Sequence, residues 1–400
     1  MPYNYKPMIY FLIGEESGDA LGKDLYNSLQ RCAKRQRIEL DIQGLAGTSL
    51  SELGVKSLFN IEDIMVMGIF SVVARLPTII KCILMTVSDI VKKKPDLIVL
   101  IDSPDFTHAV AKRVRKKLPQ IQVINYVCPS IWAWRSGRAR KMREFVDHVL
   151  AILPFEPKII EELGGPKSTY VGHSMVTKID KVRLTQVKAL NNEKPILLLL
   201  PGSRSTELKH LLIIFEKTLD ILTKRGVPFQ AIMPAVPHLK KRLCKKISQW
   251  ATPVRIVDSS QNDHTFAKAD AALATSGTVS LQLALHRIPM ILVYKLDILA
   301  RPLRFLIKTW SVALPNLIAG WPLIPEELNE MLDPERLARH IERLLIATPE
   351  RDAQLAGFDY IRDIMKTEIE PAEKSAAIIM SYLVEKKQDN RLDSCRSLLS

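Results

Sequence analysis

The chain has 400 residues, 47% hydrophobic and 25% charged, which suits two ordinary domains with sizeable cores and excludes global disorder. Its net charge of +14 favours anionic partners (nucleic acid, phosphorylated substrates or acidic lipid) without choosing among them. The five cysteines, Cys32, Cys82, Cys128, Cys244 and Cys395, form no C-x-x-C pair, which argues against a zinc knuckle or disulfide scaffold and fits a reducing compartment.

Short apolar runs alternate with longer amphipathic stretches. Residues 8–13 read as a strand, entered without a secretory-type apolar region, and 19–34 as a helix. The apolar stretch 67–91 is interrupted by Arg75, Pro77, Lys81 and Asp89, so it reads as a buried or interfacial amphipathic helix rather than a membrane span. Strands follow at 96–101, 121–127, 149–153 and 169–171, with helices at 106–117 and 138–146. This βαβα rhythm predicts a parallel sheet with helices on both faces. The polar run 178–195 reads as the join between domains, after which the rhythm restarts. Strands are expected at 196–200, 229–233, 254–257, 271–274 and 290–294, and a helix at 206–223. Beyond Asp333 the chain reads as helical to about Glu385, followed by a loose polar tail. The expected domains are therefore 1–177 and 178–346, then a helix over 347–385 packing back on the first domain and a tail over 386–400.

In open parallel sheets, ligands bind at the carboxyl ends of strands, so the loops there carry the functional question. Gly14, Glu15, Glu16, Ser17, Gly18 and Asp19 read equally as a substrate loop or as strand-to-helix punctuation with a capping residue; the P-loop ending is absent. Asp102 follows a strongly apolar strand, where a carboxylate serves a general base or a cap, while Asp105 reads as a first-turn charge. The run 128–135 holds Trp132, Trp134 and Arg135. Two tryptophans in a loop point to packing or to a sugar face, and the arginines that follow suit phosphates. Cys128 lacks a Cys–His signature and reads as packing. Gly202, Ser203 and Arg204 stand between an apolar strand and a helix, where backbone N–H groups and a guanidinium fork suit a diphosphate. Ser276, Gly277 and Thr278 repeat that setting, with a plain cap as the competing reading. Asn316 serves a base, a ribose, a phosphate or a turn. His173 ends a strand as a lone histidine, and no D-x-D occurs.

Taken in order, these motifs make the chain resemble the lipid-A-disaccharide synthase family from Met8 to about Ile346. They are Gly-Glu-Glu-Ser-Gly-Asp at 14–19, Val-Met-Gly at 66–68, Ile-Asp-Ser-Pro-Asp-Phe at 101–106 and Tyr-Val-Cys-Pro-Ser-Ile-Trp-Ala-Trp-Arg at 126–135. Leu-Pro-Phe-Glu at 153–156, Val-Gly-His at 171–173, Leu-Pro-Gly-Ser-Arg at 200–204, Ser-Gly-Thr at 276–278 and Leu-Pro-Asn-Leu at 314–317 complete the set.

The resemblance implies an α/β fold of the GT-B type, with two facing Rossmann-like domains of parallel sheets and a C-terminal helical segment. It implies an inverting glycosyl transfer that needs no metal or other cofactor. UDP-2,3-diacylglucosamine would be the donor and 2,3-diacylglucosamine 1-phosphate the acceptor. The product would be the β-1,6-linked disaccharide of lipid A. Asp102 would be the base. Gly202, Ser203, Arg204, Ser276, Gly277, Thr278, Asn316 and Glu326 would serve the UDP side, with Gln282 standing where the family carries a ribose-binding glutamate. Gly14, Glu15, Ser17, Gly18, Asp19, Trp132, Trp134, Arg135 and His173 would form the acceptor side. Because the substrates are acylated, an anionic membrane surface is an expected partner, met by Val72, Val73, Leu76, Ile79, Ile80 and Ile83 at the inner face of the inner membrane from the cytoplasm. Nucleic acid is not expected, and a homo-oligomer is left open. A UDP-sugar epimerase or hydrolase on the same fold is the competing enzyme reading.

Overall fold

A computed structural model describes residues 6–65, 69–183, 194–202, 205–294, 309–328 and 332–397. The first run of elements is β1 (Met8–Ile13), α1 (Glu16–Arg35), β2 (Asp41–Gly44), α2 (Thr48–Ser51), α3 (Ile69–Lys93), β3 (Leu97–Ile101), α4 (Pro104–Lys117), β4 (Gln122–Tyr126), α5 (Gly137–Met142), β5 (His148–Ala151), α6 (Glu156–Glu162) and β6 (Lys167–Tyr170). The second is α7 (Ser174–Arg183), β7 (Ile196–Leu200), α8 (Ser205–Lys224), β8 (Gln230–Ala235), α9 (Pro237–Ile247), β9 (Val254–Asp258), α10 (Asn262–Lys268), β10 (Ala271–Thr275), α11 (Thr278–Leu285), β11 (Met290–Tyr294), α12 (Leu314–Ala319) and β12 (Glu326–Leu328). Three helices close the chain: α13 (Pro334–Leu344), α14 (Pro349–Met365) and α15 (Pro371–Ser397).

The chain divides into two compact units, Met1–Ser174 with Thr367–Ser400, and Met175–Lys366. The breaks fall at 174 and 366 rather than at 177 and 346, because α14 belongs to the second unit and only α15 returns to the first. That return packs α15 on α1, where Tyr382 Oη lies 3.1 Å from His148 Nδ1 beneath the first sheet's β5. The single helical tail expected after Asp333 is broken where Pro349 and Pro371 open new helices, since proline has no N–H to continue an existing one. The tail expected to be loose over 386–400 is helical as far as Ser397: helix bonds are local, and no Gly or Pro interrupts 372–397.

In the first unit the sheet order is β2-β1-β3-β4-β5-β6, parallel throughout. Its central strands are covered on both faces and therefore read as unbroken apolar runs: Ile9 to Ile13 and Leu97 to Ile101 are fully buried. β2 is an edge strand, Asp41–Gly44, with alternating burial and no such run. In the second unit the order is β12-β11-β10-β7-β8-β9, again parallel. In each unit the chain starts centrally, runs to one edge, then crosses back past its first strand. The reversal lies between β1 and β3 in one sheet and between β7 and β10 in the other.

Helix α3 carries Pro77 inside it. Its inner face buries Cys82, Ile83, Val87 and Ile90. Its outer face exposes Leu76, Ile80 and Leu84 at four-residue spacing, with Met85 beside them. Ile83, expected to face a membrane, is instead 7% exposed and part of the core, and Ile79 is half-buried against that core. The Val72 and Val73 side chains lie outside the described residues. Among the described residues no helix is long and apolar enough to cross a membrane.

Candidate active site

The loops after β1 and β3 flank the reversal in the first sheet, the position at which a crevice opens at the strands' carboxyl ends. Asp102 leaves β3 in the left-handed region with φ 56°, and Ser103 follows at φ 45°. Two successive non-glycine residues in that region cost on the order of 1–3 kcal/mol each and persist only where the surroundings enforce them. Here they are enforced. Ser103 N donates to Asp102 Oδ1 at 2.9 Å, and Ser17 Oγ donates to Asp102 Oδ2 at 2.9 Å. Thr107 Oγ1 donates to the Asp102 carbonyl at 3.2 Å. A side chain at Gly14 would place its Cβ 2.4 Å from Ser103 Oγ, and one at Gly18 would place it 3.0 Å from the Ile101 carbonyl. The two glycines thus let α1 and the β3 loop close on each other.

Helix α1 starts at Glu16, three residues before the expected start, so Ser17, Gly18 and Asp19 lie in its first turn. Glu15 is half-buried in front of it, and burial, then the charges of Asp102 and Asp105, hold its carboxyl above the usual range. Asp19, expected on the acceptor side, is 4% exposed and accepts from Gly47 N (2.9 Å), Ser49 N (2.6 Å) and Leu50 N (3.2 Å). Its visible work is to hold the chain at α2. A pocket of about 560 Å³ opens here, lined by Glu16, Asp19, Thr48, Ser49, Asn60 and Glu62 among others.

The loop after β4 lies beside the Asp102 loop, because β3 and β4 are hydrogen-bonded neighbours. It begins with Val127 at φ 75°, a strained geometry for a β-branched residue, where the Val127 carbonyl accepts from Asn125 Nδ2 at 2.7 Å. Trp132 is turned inward: its Nε1 donates to Glu156 Oε1 at 3.3 Å and its ring meets Phe155 edge-on at 5.5 Å. Trp134 stays 39% exposed, with the Arg135 guanidinium 4.2 Å above its ring. The two tryptophans therefore split between packing and presentation. Glu156 is buried and also accepts from Ile152 N (3.1 Å) and Leu153 N (3.0 Å). Burial pushes its carboxyl up to about 7 against the pull of those bonds. In the sequence Glu156 stands only as part of the 153–156 motif; its signal there is a carboxylate set between apolar residues after a strand. Cys128 is buried, and burial pushes its thiol up, which disfavours the thiolate and fits the packing reading. His173 is half-buried beyond β6, next to Gly172 at φ 95°, where a Cβ would meet Thr367 at 2.9 Å.

In the second unit Gly202 (φ 90°) follows β7 and Ser276 with Gly277 (φ 142°) follows β10, so these loops flank the second reversal. Ser203 and Arg204 lie outside the described residues. Gly277 and Thr278 are exposed and Gln282 is half-buried in α11. Ser276 Oγ donates to the Val312 carbonyl at 2.5 Å. Asn316 is buried, donating to the Ile324 carbonyl (3.0 Å) and to Glu326 Oε2 (3.2 Å) and accepting from Ile324 N (2.7 Å). Glu326 also accepts from Ser311 Oγ (2.6 Å) and Val312 N (3.0 Å). Ser276, Asn316 and Glu326 are thus brought together in one network that holds residues 311–326.

A family model described as lipid-A-disaccharide synthetase matches residues 9–380. A lipid-A-disaccharide synthase of Rhodopseudomonas palustris (strain HaA2) is 41% identical over 380 residues, covering 94% of this chain and 96% of its own. That of Gluconobacter oxydans (strain 621H) is 34% identical over 388 residues, covering 95% and 92%. Among solved structures, the glycotransferase of kitacinnamycin superposes with TM-score 0.59 at 11% identity over 94% of this chain and 99% of its own. A Methanocaldococcus jannaschii UDP-GlcNAc 2-epimerase in complex with UDP-GlcNAc and UDP gives TM-score 0.55 at 15% identity over 94% and 100%. These likenesses establish the fold as GT-B.

Proposed function

The chain belongs to the lipid-A-disaccharide synthetase family, and from that membership we infer a glycosyltransferase of lipid A biosynthesis that joins two acylated glucosamine units. The donor in this reading is UDP-2,3-diacylglucosamine and the acceptor 2,3-diacylglucosamine 1-phosphate. Asp102 takes the proton of the acceptor's 6-hydroxyl while that oxygen attacks the anomeric carbon. The bond from that carbon to the diphosphate breaks on the opposite face, and UDP leaves with the electron pair, inverting the centre. The observation that carries this is the Asp102 carboxylate itself. It stands at the β1/β3 reversal on a strained backbone, with one oxygen held by Ser17 and the other by Ser103 N. A base must be oriented before the hydroxyl arrives, and this is an orienting frame.

The diphosphate belongs at the β7/β10 reversal, where the exposed Gly277 and Thr278 open α11. Arg204, Ser203 and Gly202 extend that site by sequence position, with Gln282 on the ribose. Asn316 and Glu326 act there as positioning residues, since their hydrogen bonds are made to residues 311–326. The acylated substrates require access to a bilayer: each buried methylene is worth about 0.8 kcal/mol. The Leu76, Ile80 and Leu84 stripe on α3, with exposed Lys81 next to Ile80 in the chain and exposed Lys92 and Lys94 at the helix end, suits an anionic surface at the inner face of the inner membrane.

The test is turnover of both acylated substrates in mixed micelles with a chelator present, reading UDP and disaccharide by mass spectrometry. Disaccharide from the wild type and a loss on the order of 10²- to 10⁴-fold in Asp102→Asn is the expected result. UDP release without disaccharide would replace the transferase with hydrolase or epimerase chemistry.

A further inference from the structure

Two guanidinium groups converge on one carboxylate beside the base. Asp105, in the first turn of α4, accepts from Arg138 Nη2 at 2.5 Å, and Arg135 Nη1 lies 3.7 Å from the same oxygen. Asp105 is 74% exposed and Arg135 54%, whereas Arg138 is 21% exposed, so the carboxylate is well solvated and is a poor reason for gathering two cations. The scaffold beneath Arg135 is expensive by comparison. Arg135 sits at φ 55°, a conformation arginine seldom adopts, and its guanidinium carbon lies over the Trp134 ring, 4.2 Å from the centroid. The loop is fixed at its stem by the Asn125 bond to Val127 and at its tip by the Trp132 bond to buried Glu156. A loop tied at both ends, with an Arg–Trp face left outside, is preorganised for a ligand. That ligand is anionic and tetrahedral or planar, because two guanidinium groups present several N–H donors in fixed directions. The position follows from topology: this loop leaves β4, Asp102 leaves β3, and the two strands are paired.

We propose that Arg135 and Arg138 form the subsite for the phosphate monoester of the acceptor, with Asp105 holding the pair in place until the phosphate displaces it. Trp134 underlies the Arg135 guanidinium and limits where it can swing. This rests on the reaction given above, and it makes the acceptor's 1-phosphate a determinant of specificity rather than a passenger.

The experiment compares kcat/KM for 2,3-diacylglucosamine 1-phosphate with that for the same lipid lacking the phosphate, in the full-length wild type and in Arg135→Gln, Arg138→Gln and Arg135→Lys. The wild type is expected to prefer the phosphorylated acceptor by about 10- to 100-fold, the scale of one or two charge-assisted hydrogen bonds. In each glutamine variant the preference collapses to within about threefold, while Arg135→Lys retains an intermediate preference because the charge remains and the fork is lost. Arg135 is half exposed, so its glutamine variant folds, and circular dichroism verifies this. A glutamine variant that keeps the full preference overturns the proposal, as does one whose KM rises for the donor alone. A wild type that makes disaccharide from neither acceptor refutes the reaction instead, and is recognised by the absence of product in every arm.

Discussion

Glu156→Gln separates a buried charge from its shape. In the wild type the carboxyl is buried and pushed up to about 7, against an ordinary glutamate near 4.5. The sign follows from proton binding. Between these two values the folded chain holds a proton that the unfolded chain has released, so stability falls as pH rises. The contribution is fully present below about pH 4.5 and lost by the time pH has passed about 7. A shift of that size corresponds to roughly 3 kcal/mol, with no discount for solvent because the side chain is inaccessible. Glutamine keeps the volume and an acceptor oxygen for Ile152 N and Leu153 N but never ionises. Urea unfolding followed by tryptophan emission at pH 5, 6, 7 and 8 measures both proteins, and their difference removes the titrations they share. The wild type should lose roughly 2–3 kcal/mol relative to the variant between pH 5 and 8, a little having been lost already below pH 5. A difference that stays flat across this range would refute the burial argument and leave the Trp132 tether as an ordinary neutral contact.

Ser17→Ala removes the hydroxyl that holds Asp102 Oδ2; kcat is expected to fall about 10-fold with donor KM little altered, and steady-state kinetics read the split. Gly14→Ala places a Cβ 2.4 Å from Ser103 Oγ and should push the Asp102 loop aside, lowering kcat by more than Ser17→Ala while the melting temperature drops by only a few degrees. Asn316→Ala leaves the Ile324 amide and carbonyl unpaired in a buried setting and should cost roughly 2–4 kcal/mol in urea unfolding, with UDP affinity falling as residues 311–326 loosen. Leu76→Ser with Ile80→Ser and Leu84→Ser should shift the chain from sedimenting with anionic phosphatidylglycerol vesicles to remaining in the supernatant, with circular dichroism unchanged; undiminished sedimentation would remove α3 as the bilayer contact.

How much the chain alone discloses depends on whether the signal is local. β1, β3 and β7 were legible as apolar runs because parallel strands are covered on both faces, and the motif loops were legible because glycine and carboxylates follow those runs at once. β2 was not, since Asp41–Gly44 is a short edge strand whose alternating burial imitates a loop. The end of α15 is not legible in the sequence because polar composition looks like disorder, whereas helix hydrogen bonds need only the neighbouring turns.

The roles of single polar residues split the same way. Asp102 could be placed from sequence because its position at a strand's end is a local fact. Asp19, Asn316, Glu326 and Trp132 could not be sorted, because what a polar side chain does is decided by which backbone it meets. Asp19 meets Gly47, Ser49 and Leu50 some 30 residues on, and Trp132 meets Glu156 across a strand. The strand order that sets the reversals at β1/β3 and β7/β10, and the return of α15 onto α1, likewise arise from packing between distant segments. Periodicity along the chain states which face of an element is buried. Only the folded arrangement states what that face is buried against, because the free energy of burial is indifferent to the partner until shape and hydrogen bonds choose it.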